Sequence, residues 1–187
     1  MNKQDVLNSD AAKLLPKDFQ DWLAFELDHE DMTDRAGNIL TEHDPDDPGG
    51  ATFAGIDKSS HPNFPFSNPQ PANVVAAYAA DWTNCHADMF PKPVNVTLAN
   101  FAVNMGRVGA MKVLQGAVGV DQDGVLDPRT LTAVKGAIST NGPLFLALKM
   151  CDAADARYKT FSGAWKYLRG WLNRDNDLRD FAKKEGE

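Results

Sequence analysis

From Pro16 onward the apolar positions recur with a helical period. Phe19, Trp22, Leu23 and Leu27 share one stripe with Glu26 and Glu30. This spacing predicts a helix that opens with a first-turn proline and ends near Glu30. The next stretch, Asp31 to Gly50, carries acids, three glycines and two prolines without any period, and reads as a long loop. Residues 37–56 have room for a short hairpin, and 57–72, with four prolines, should hold little regular structure. Beyond them the helical period returns. Val74, Val75, Tyr78, Trp82 and Cys85 mark one helix, Val94, Leu98, Phe101 and Met105 a second, and Val108, Met111, Leu114 and Val118 a third. Asp127-Pro128 reads as an N-cap and first-turn proline ahead of Leu131, Val134 and Ile138. After the break at Asn141-Gly142-Pro143 a longer helix should run through Leu144, Leu148 and Cys151 towards Tyr158. Trp165, Leu168 and Trp171 close the ordered part, and the chain from Asp175 to Glu187 reads as a charged tail expected to fray. No segment alternates as a strand should over any length. The expected class is mainly α.

Composition narrows the function. The 187 residues, 43% hydrophobic and 24% charged, suit a globular chain with room for a real core. A net charge of −7 argues against nucleic acid as a partner, because phosphate recognition needs a basic face. No apolar run is long enough for membrane insertion, and the first residues lack the basic-then-apolar order of a signal peptide. Two cysteines, Cys85 and Cys151, both in helical stretches, make no disulfide framework and are expected as buried thiols.

Candidate chemistry centres on carboxylates. Glycoside hydrolysis needs one carboxylic acid to protonate the leaving oxygen and a second group to stabilise the developing cation or activate water. An apolar setting raises the pKa of such an acid by disfavouring its charged form. Glu30 shares a stripe with Trp22, Leu23 and Leu27, although a plain surface glutamate at a helix end would look the same. Glu26 and Glu42 are further candidates. The segment Asp44-Pro-Asp-Asp47-Pro-Gly-Gly50 could be an acidic turn or a place of close backbone approach. A calcium loop does not fit it, since Pro48 stands where a ligand is needed and Gly55 occupies the twelfth place. The four histidines form no zinc pair, and no serine elbow or phosphate loop is present. No metal and no cofactor is expected.

At Asp47-Pro-Gly-Gly-Ala-Thr-Phe-Ala-Gly-Ile56 the chain resembles glycoside hydrolase family 108, the N-acetylmuramidases of phage endolysins, whose catalytic glutamate ends the first main helix. Leu27-Asp-His-Glu30 matches the approach to that glutamate. Tyr78 to Trp82 and Phe101-Ala-Val-Asn-Met-Gly106 continue the resemblance. Leu114-Gln115, Asp123-Gly124, Pro128 and Thr130-Leu131 resemble the peptidoglycan-binding-type half that accompanies the family, and Gly170-Trp-Leu-Asn-Arg174 its closing motif. Two departures stand out. Asp31-Met-Thr33 replaces the usual Gly-Gly-Tyr, and the sixteen residues between Glu30 and Asp47 exceed the usual interval.

The resemblance implies a lysozyme-like, two-lobed helical fold with a small hairpin near the cleft. Its parts would be an arm over 1–15, a catalytic lobe over 16–93, a helical peptidoglycan-binding-like lobe over 94–175 and the tail 176–187. It implies a lysozyme that cuts the β-1,4 bond between N-acetylmuramic acid and N-acetylglucosamine, for phage host lysis. By analogy Glu30 is the general acid, Asp47 the electrostatic stabiliser or base and Thr52 the water-positioning group. Gly50, Tyr78, Asn104 and Arg107 are the expected substrate contacts. The analogy leaves inverting and retaining chemistry open, since carboxylate separation decides it. The partner is the glycan strand of peptidoglycan, met by a monomer made without a signal peptide and acting in the periplasm or wall. Holin-dependent release or an inhibitor protein would fit that route. Two alternatives remain, a non-catalytic wall-binding protein on the same fold and a secreted wall-degrading toxin with the same chemistry.

Overall fold

A computed structural model of the chain describes residues 1–29, 33–43, 50–162 and 164–185, with the backbone alone for His43. The fold is mainly α, with one small sheet, as the hydrophobic pattern predicts. Packing divides it into two units, Met1–Ala80 and Asp81–Glu187.

In the first unit, the expected arm is two short helices, α1 (Lys3–Leu7) and α2 (Asp10–Lys13). Asn2 and Asp5 form a reciprocal capping box on α1, and the Ser9 hydroxyl accepts from the Ala12 amide on α2. Each helix buries one small residue, Val6 or Ala12. Helix α3 (Lys17–His29) follows and buries Phe19, Trp22, Leu23, Phe25, Glu26 and Leu27, which is the predicted stripe with Phe25 added. The Trp22 ring meets Phe19 and Tyr78 edge-on, with centroids 5.6 and 5.5 Å away.

The long loop after α3 is partly pinned. Asp34 Oδ1 accepts from the Ala36 and Asn38 amides at 2.8 and 2.9 Å, closing a tight turn. Bridges join Thr33 to Ile39 and Asn2 to Asn38, and the Ile39 amide donates to the Met1 carbonyl at 2.9 Å. Asn38 and Ile39, within the longer interval, therefore lie against the N-terminal arm. The predicted hairpin is the antiparallel sheet β1 (Thr41–His43), β2 (Ala51–Phe53) and β3 (Ile56–Asp57). Phe53 and Ile56 are buried, and Phe53 stacks on Phe64. Helix α4 (Pro71–Asn84) begins in this unit and ends in the next.

The second unit is helical throughout. Helix α5 (Val94–Val118) is broken at Gly106, where φ 74° and ψ 156° are open to glycine alone. That break separates the two helices expected from the apolar spacing. Helix α6 (Pro128–Asn141) starts as predicted, with Asp127 accepting from the Thr130 amide at 2.7 Å. Helix α7 (Pro143–Tyr158) packs against α5 and α8 (Ala164–Glu185). The core holds Leu98, Phe101, Leu114, Leu146, Met150, Cys151 and Tyr158. Both cysteines are buried and unbridged, and burial pushes the Cys85 thiol up to about 12.

The fraying expected of the tail 176–187 is corrected by α8, which continues to Glu185. Leu178 and Ala182 are wholly buried and Lys92 pairs with Glu185. A narrow buried seam, Asp175, Leu178 and Ala182 at helical spacing, suffices to hold it, and the many charges on its other faces hide that seam in the sequence.

Candidate functional site

Glu30 and Asp47 lie outside the described residues, and the structure around them is built from their neighbours. Helix α3 delivers the chain to His29, whose ring packs on Phe25 with centroids 4.1 Å apart and whose Nδ1 lies 2.8 Å from the Phe25 carbonyl. Glu26, one turn before Glu30, is wholly buried. It is the stripe's interior carboxylate.

The sheet carries the next group. His43 pairs with Ala51 and Glu42 with Thr52, so residues 44–50 connect β1 to β2 and Asp47 belongs to that connection. Gly50 enters β2 with φ 79°, as expected of a position needing glycine's freedom. Thr52 is half-buried and is paired on both sides, with Glu42 in β1 and with Asp57 in β3. Directly paired residues project from the same face of a sheet, so Glu42, Thr52 and Asp57 form one row. The opposite face carries Phe53 and Ile56 into the core.

Asp57 is a member of this row that the sequence reading did not single out. Burial raises its pKa, but hydrogen bonds from the Ser59 hydroxyl at 2.5 Å and the Ser60 amide at 2.9 Å outweigh burial and hold it below the usual carboxylate range. A signal was present in the sequence, since Asp-x-Ser-Ser is the pattern of an aspartate that caps its own turn.

The turn between β2 and β3 is Ala54-Gly55, both at positive φ (51° and 75°), as a two-residue hairpin requires. Alanine is an unfavourable choice there. The Tyr78 hydroxyl donates to the Ala54 carbonyl at 2.7 Å. Tyr78 is one of the expected substrate contacts. It is 1% exposed, wedged against Trp22, and holds the hairpin from beneath. Trp82 is also buried, which is the commoner fate of an aromatic at helical spacing.

The other two expected contacts lie in the second unit. Asn104 is half-buried, and its amide nitrogen donates to Asn100 Oδ1 at 3.1 Å and to the Tyr158 hydroxyl at 3.3 Å. Arg107, the residue after the break at Gly106, is exposed. The structure thus brings Gly50 and Thr52 together on the sheet and places Asn104 and Arg107 in the unit that begins at Asp81. Among the described residues, no group of three or more metal-ligating side chains occurs, and no helix is long and apolar enough to cross a membrane.

Gln115 organises the loop before α6. Its amide nitrogen reaches Asp123 Oδ1 at 2.7 Å, the Val125 carbonyl at 3.0 Å and Thr130 Oγ1 at 3.2 Å, and its oxygen accepts from the Gly124 amide at 2.8 Å. One wholly buried side chain therefore fixes residues 123–130. These are the residues that carried the resemblance in the second half of the chain.

Residues 32–106 match the family described as Glycosyl hydrolase 108, and residues 109–176 match a Predicted Peptidoglycan domain. The first match covers the sheet and begins two residues after Glu30. The two matches meet just beyond the break at Gly106, later in the chain than the expected division at 93/94. The solved structure of Brucella abortus SagA is similar with a TM-score of 0.75 and 26% sequence identity, over 90% of this chain and 95% of that one. No curated protein matches the chain. The first match supports a glycoside hydrolase, and the pair of matches supports peptidoglycan as its substrate. Along the chain, a match to the glycosyl hydrolase 108 family is thus followed by a match to a predicted peptidoglycan domain.

Proposed function

We propose that the protein is an N-acetylmuramidase that cleaves the β-1,4 bond between N-acetylmuramic acid and N-acetylglucosamine. In this reading Glu30, the next residue in sequence after the apolar helix α3, protonates the leaving glycosidic oxygen. Asp47 stabilises the developing oxocarbenium charge or takes a proton from water, and Thr52 orients that water through its hydroxyl. Gly50 lets the backbone approach the sugar.

The observation that carries this reading is the register of the hairpin. Because His43 pairs with Ala51, Thr52 stands on the strand that follows the 44–50 connection, to which Asp47 belongs in sequence, and the hydrolase match runs through both. Thr52 stands in a row with Glu42 and Asp57 on the face away from Phe53 and Ile56, and Asp57 is held ionised. A row of this kind supplies anchoring acceptors and a hydroxyl, which is what the far side of a glycosidic bond needs. The substrate lies outside the cytoplasmic membrane, so the role proposed is wall lysis at the end of a phage cycle. A toxin delivered against other bacteria would use the same chemistry.

The test is clearing of outer-membrane-stripped Gram-negative cells by the wild type, Glu30→Gln and Asp47→Asn, with mass spectrometry of the released fragments. Loss of a general acid lowers the rate by about 10²–10⁴-fold. Fragments should carry new reducing N-acetylmuramic acid ends. Equal clearing by Glu30→Gln removes Glu30 from its role, and no clearing by the wild type favours a wall-binding protein.

A further inference from the structure

A notch of about 300 Å³ opens in the second unit between the end of α4, the start of the second part of α5 and the loop at 124–126. Its polar lining is Asn84, His86 and Arg107, and its apolar lining is Val108, Val125 and Leu126. Among the described residues, no hydrogen bond or ion pair engages the Arg107 guanidinium. Asp123, beside the notch in sequence, is turned away, since its Oδ1 accepts from Gln115 and from the Val125 amide. Among the described residues the cation is thus unopposed, in a chain of net charge −7.

Two further features show a built site. His86 ends α4 in the left-handed conformation (φ 64°, ψ 28°), a stop position where glycine is usual and a side chain is disfavoured. The exposed imidazole is kept there at a cost that glycine would not incur. The far wall is rigid, because Gln115 holds both Gly124 and Val125, and a Cβ on Gly124 would come within 2.6 Å of Val108 Cγ1. Val108 and Val125 are 49% and 59% exposed, so the notch also presents two apolar side chains to solvent.

We propose that this notch binds the free carboxylate end of a peptidoglycan stem peptide. Arg107 takes the carboxylate, Asn84 and His86 hydrogen-bond the last peptide group, and the two valines with Leu126 cover alanine-sized side chains. The volume is at the low end for ligand pockets, enough for one or two small residues. Among the described residues the lining has no tryptophan, tyrosine or phenylalanine face for a sugar ring to stack on, which favours the peptide over the glycan. A carboxylate between a guanidinium and small apolar groups is matched in both charge and shape. The inference rests on the reading of peptidoglycan as substrate, and it would give the hydrolase a second hold on its polymer.

The experiment is a titration of the 15N-labelled protein with N-acetyl-D-alanyl-D-alanine, followed by amide shifts. A ligand of this size should bind with Kd of about 1 mM. Shifts should centre on residues 106–109 and 124–126. Arg107→Gln should abolish them, Arg107→Lys should retain part, and Val108→Asp should weaken binding at least tenfold by placing a like charge in the notch. Both positions are exposed, and an otherwise unchanged spectrum confirms that each variant is folded. The C-terminal amide of the same dipeptide should not bind. Absence of saturable shifts in the wild type, equal binding by Arg107→Gln, or equal binding of the amide overturns the proposal. No hydrolysis is needed for this readout, so its failure is separate from any failure of Glu30 as the acid.

Discussion

The Tyr78 hydroxyl donates to the carbonyl of Ala54 across 24 residues of sequence, and so ties helix α4 to a turn in which alanine holds a positive φ. The bond is buried, and the acceptor it satisfies belongs to a residue only 4% exposed. Tyr78→Phe leaves that carbonyl unpaired and should cost about 1–3 kcal/mol. A urea midpoint measured for both proteins checks this, and coincident curves would sink the idea. Clearing activity should fall less than in Glu30→Gln, because the residue positions the sheet and touches no sugar.

Thr52→Val tests the row on the sheet. The swap keeps the branched shape and β propensity while removing the hydroxyl, so stability should stay within about 0.5 kcal/mol. The rate of wall hydrolysis should drop at least tenfold if the hydroxyl orients water. An unchanged rate assigns Thr52 to the sheet alone.

Two aspartates should shape the pH dependence of stability with opposite signs. Asp57 has a lowered folded-state pKa, so its contribution is present above the unfolded value of 3.8 and is lost as pH falls through the lower folded value. Asp175 is wholly buried between α7 and α8. Burial and the facing Asp155 carboxyl push it up to about 8, against the pull of Arg179 and Arg174. Its contribution is complete below 3.8 and is lost as pH rises through about 8. Around it lie Cys151, Asp152, Asp155 and Tyr158 of α7, with Arg179 bonded to Asp155 at 2.7 Å and to Asp152 at 3.2 Å. Melting temperatures taken in steps across the acid and alkaline limbs should show Asp57→Asn flattening the first and Asp175→Asn the second. A wild-type-like alkaline limb in Asp175→Asn would show that this carboxyl titrates normally.

Two glycines should respond oppositely to alanine. A Cβ at Gly106 meets nothing within 4 Å, so Gly106→Ala suffers only the strain of φ 74°, roughly 1–3 kcal/mol. Gly136, within α6 and equally open, should gain about 1 kcal/mol as alanine. Chemical denaturation of the pair separates backbone strain from crowding, since crowding is absent at both.

The helices were readable because their faces are regular. Phe19, Trp22, Leu23 and Leu27 repeat at helical spacing and all are buried, and Asp127-Pro128 announced its helix end through cap chemistry. The last helix was not readable. Its buried seam is one leucine, one alanine and an aspartate among charged neighbours, which is weaker than the pattern of a solvated tail. The bond of Tyr78 to Ala54 was hidden for a different reason: periodicity gives the face of a residue, but only tertiary structure shows a partner 24 positions away. Asp57 was overlooked because its neighbour across the sheet, Thr52, is set by register. The notch is a product of chain crossings and of one glutamine, Gln115, whose reach sequence alone does not show.

The arm at the start of the chain has a practical meaning for anyone preparing this protein. Met1 offers its carbonyl to Ile39, Asn2 bridges Asn38, and Val6 is wholly buried. The opening residues act as a strap across the segment that leads into the hairpin. Trimming them, or threading a tag tightly onto them, would loosen the approach to Thr52 without altering a single residue of the sheet.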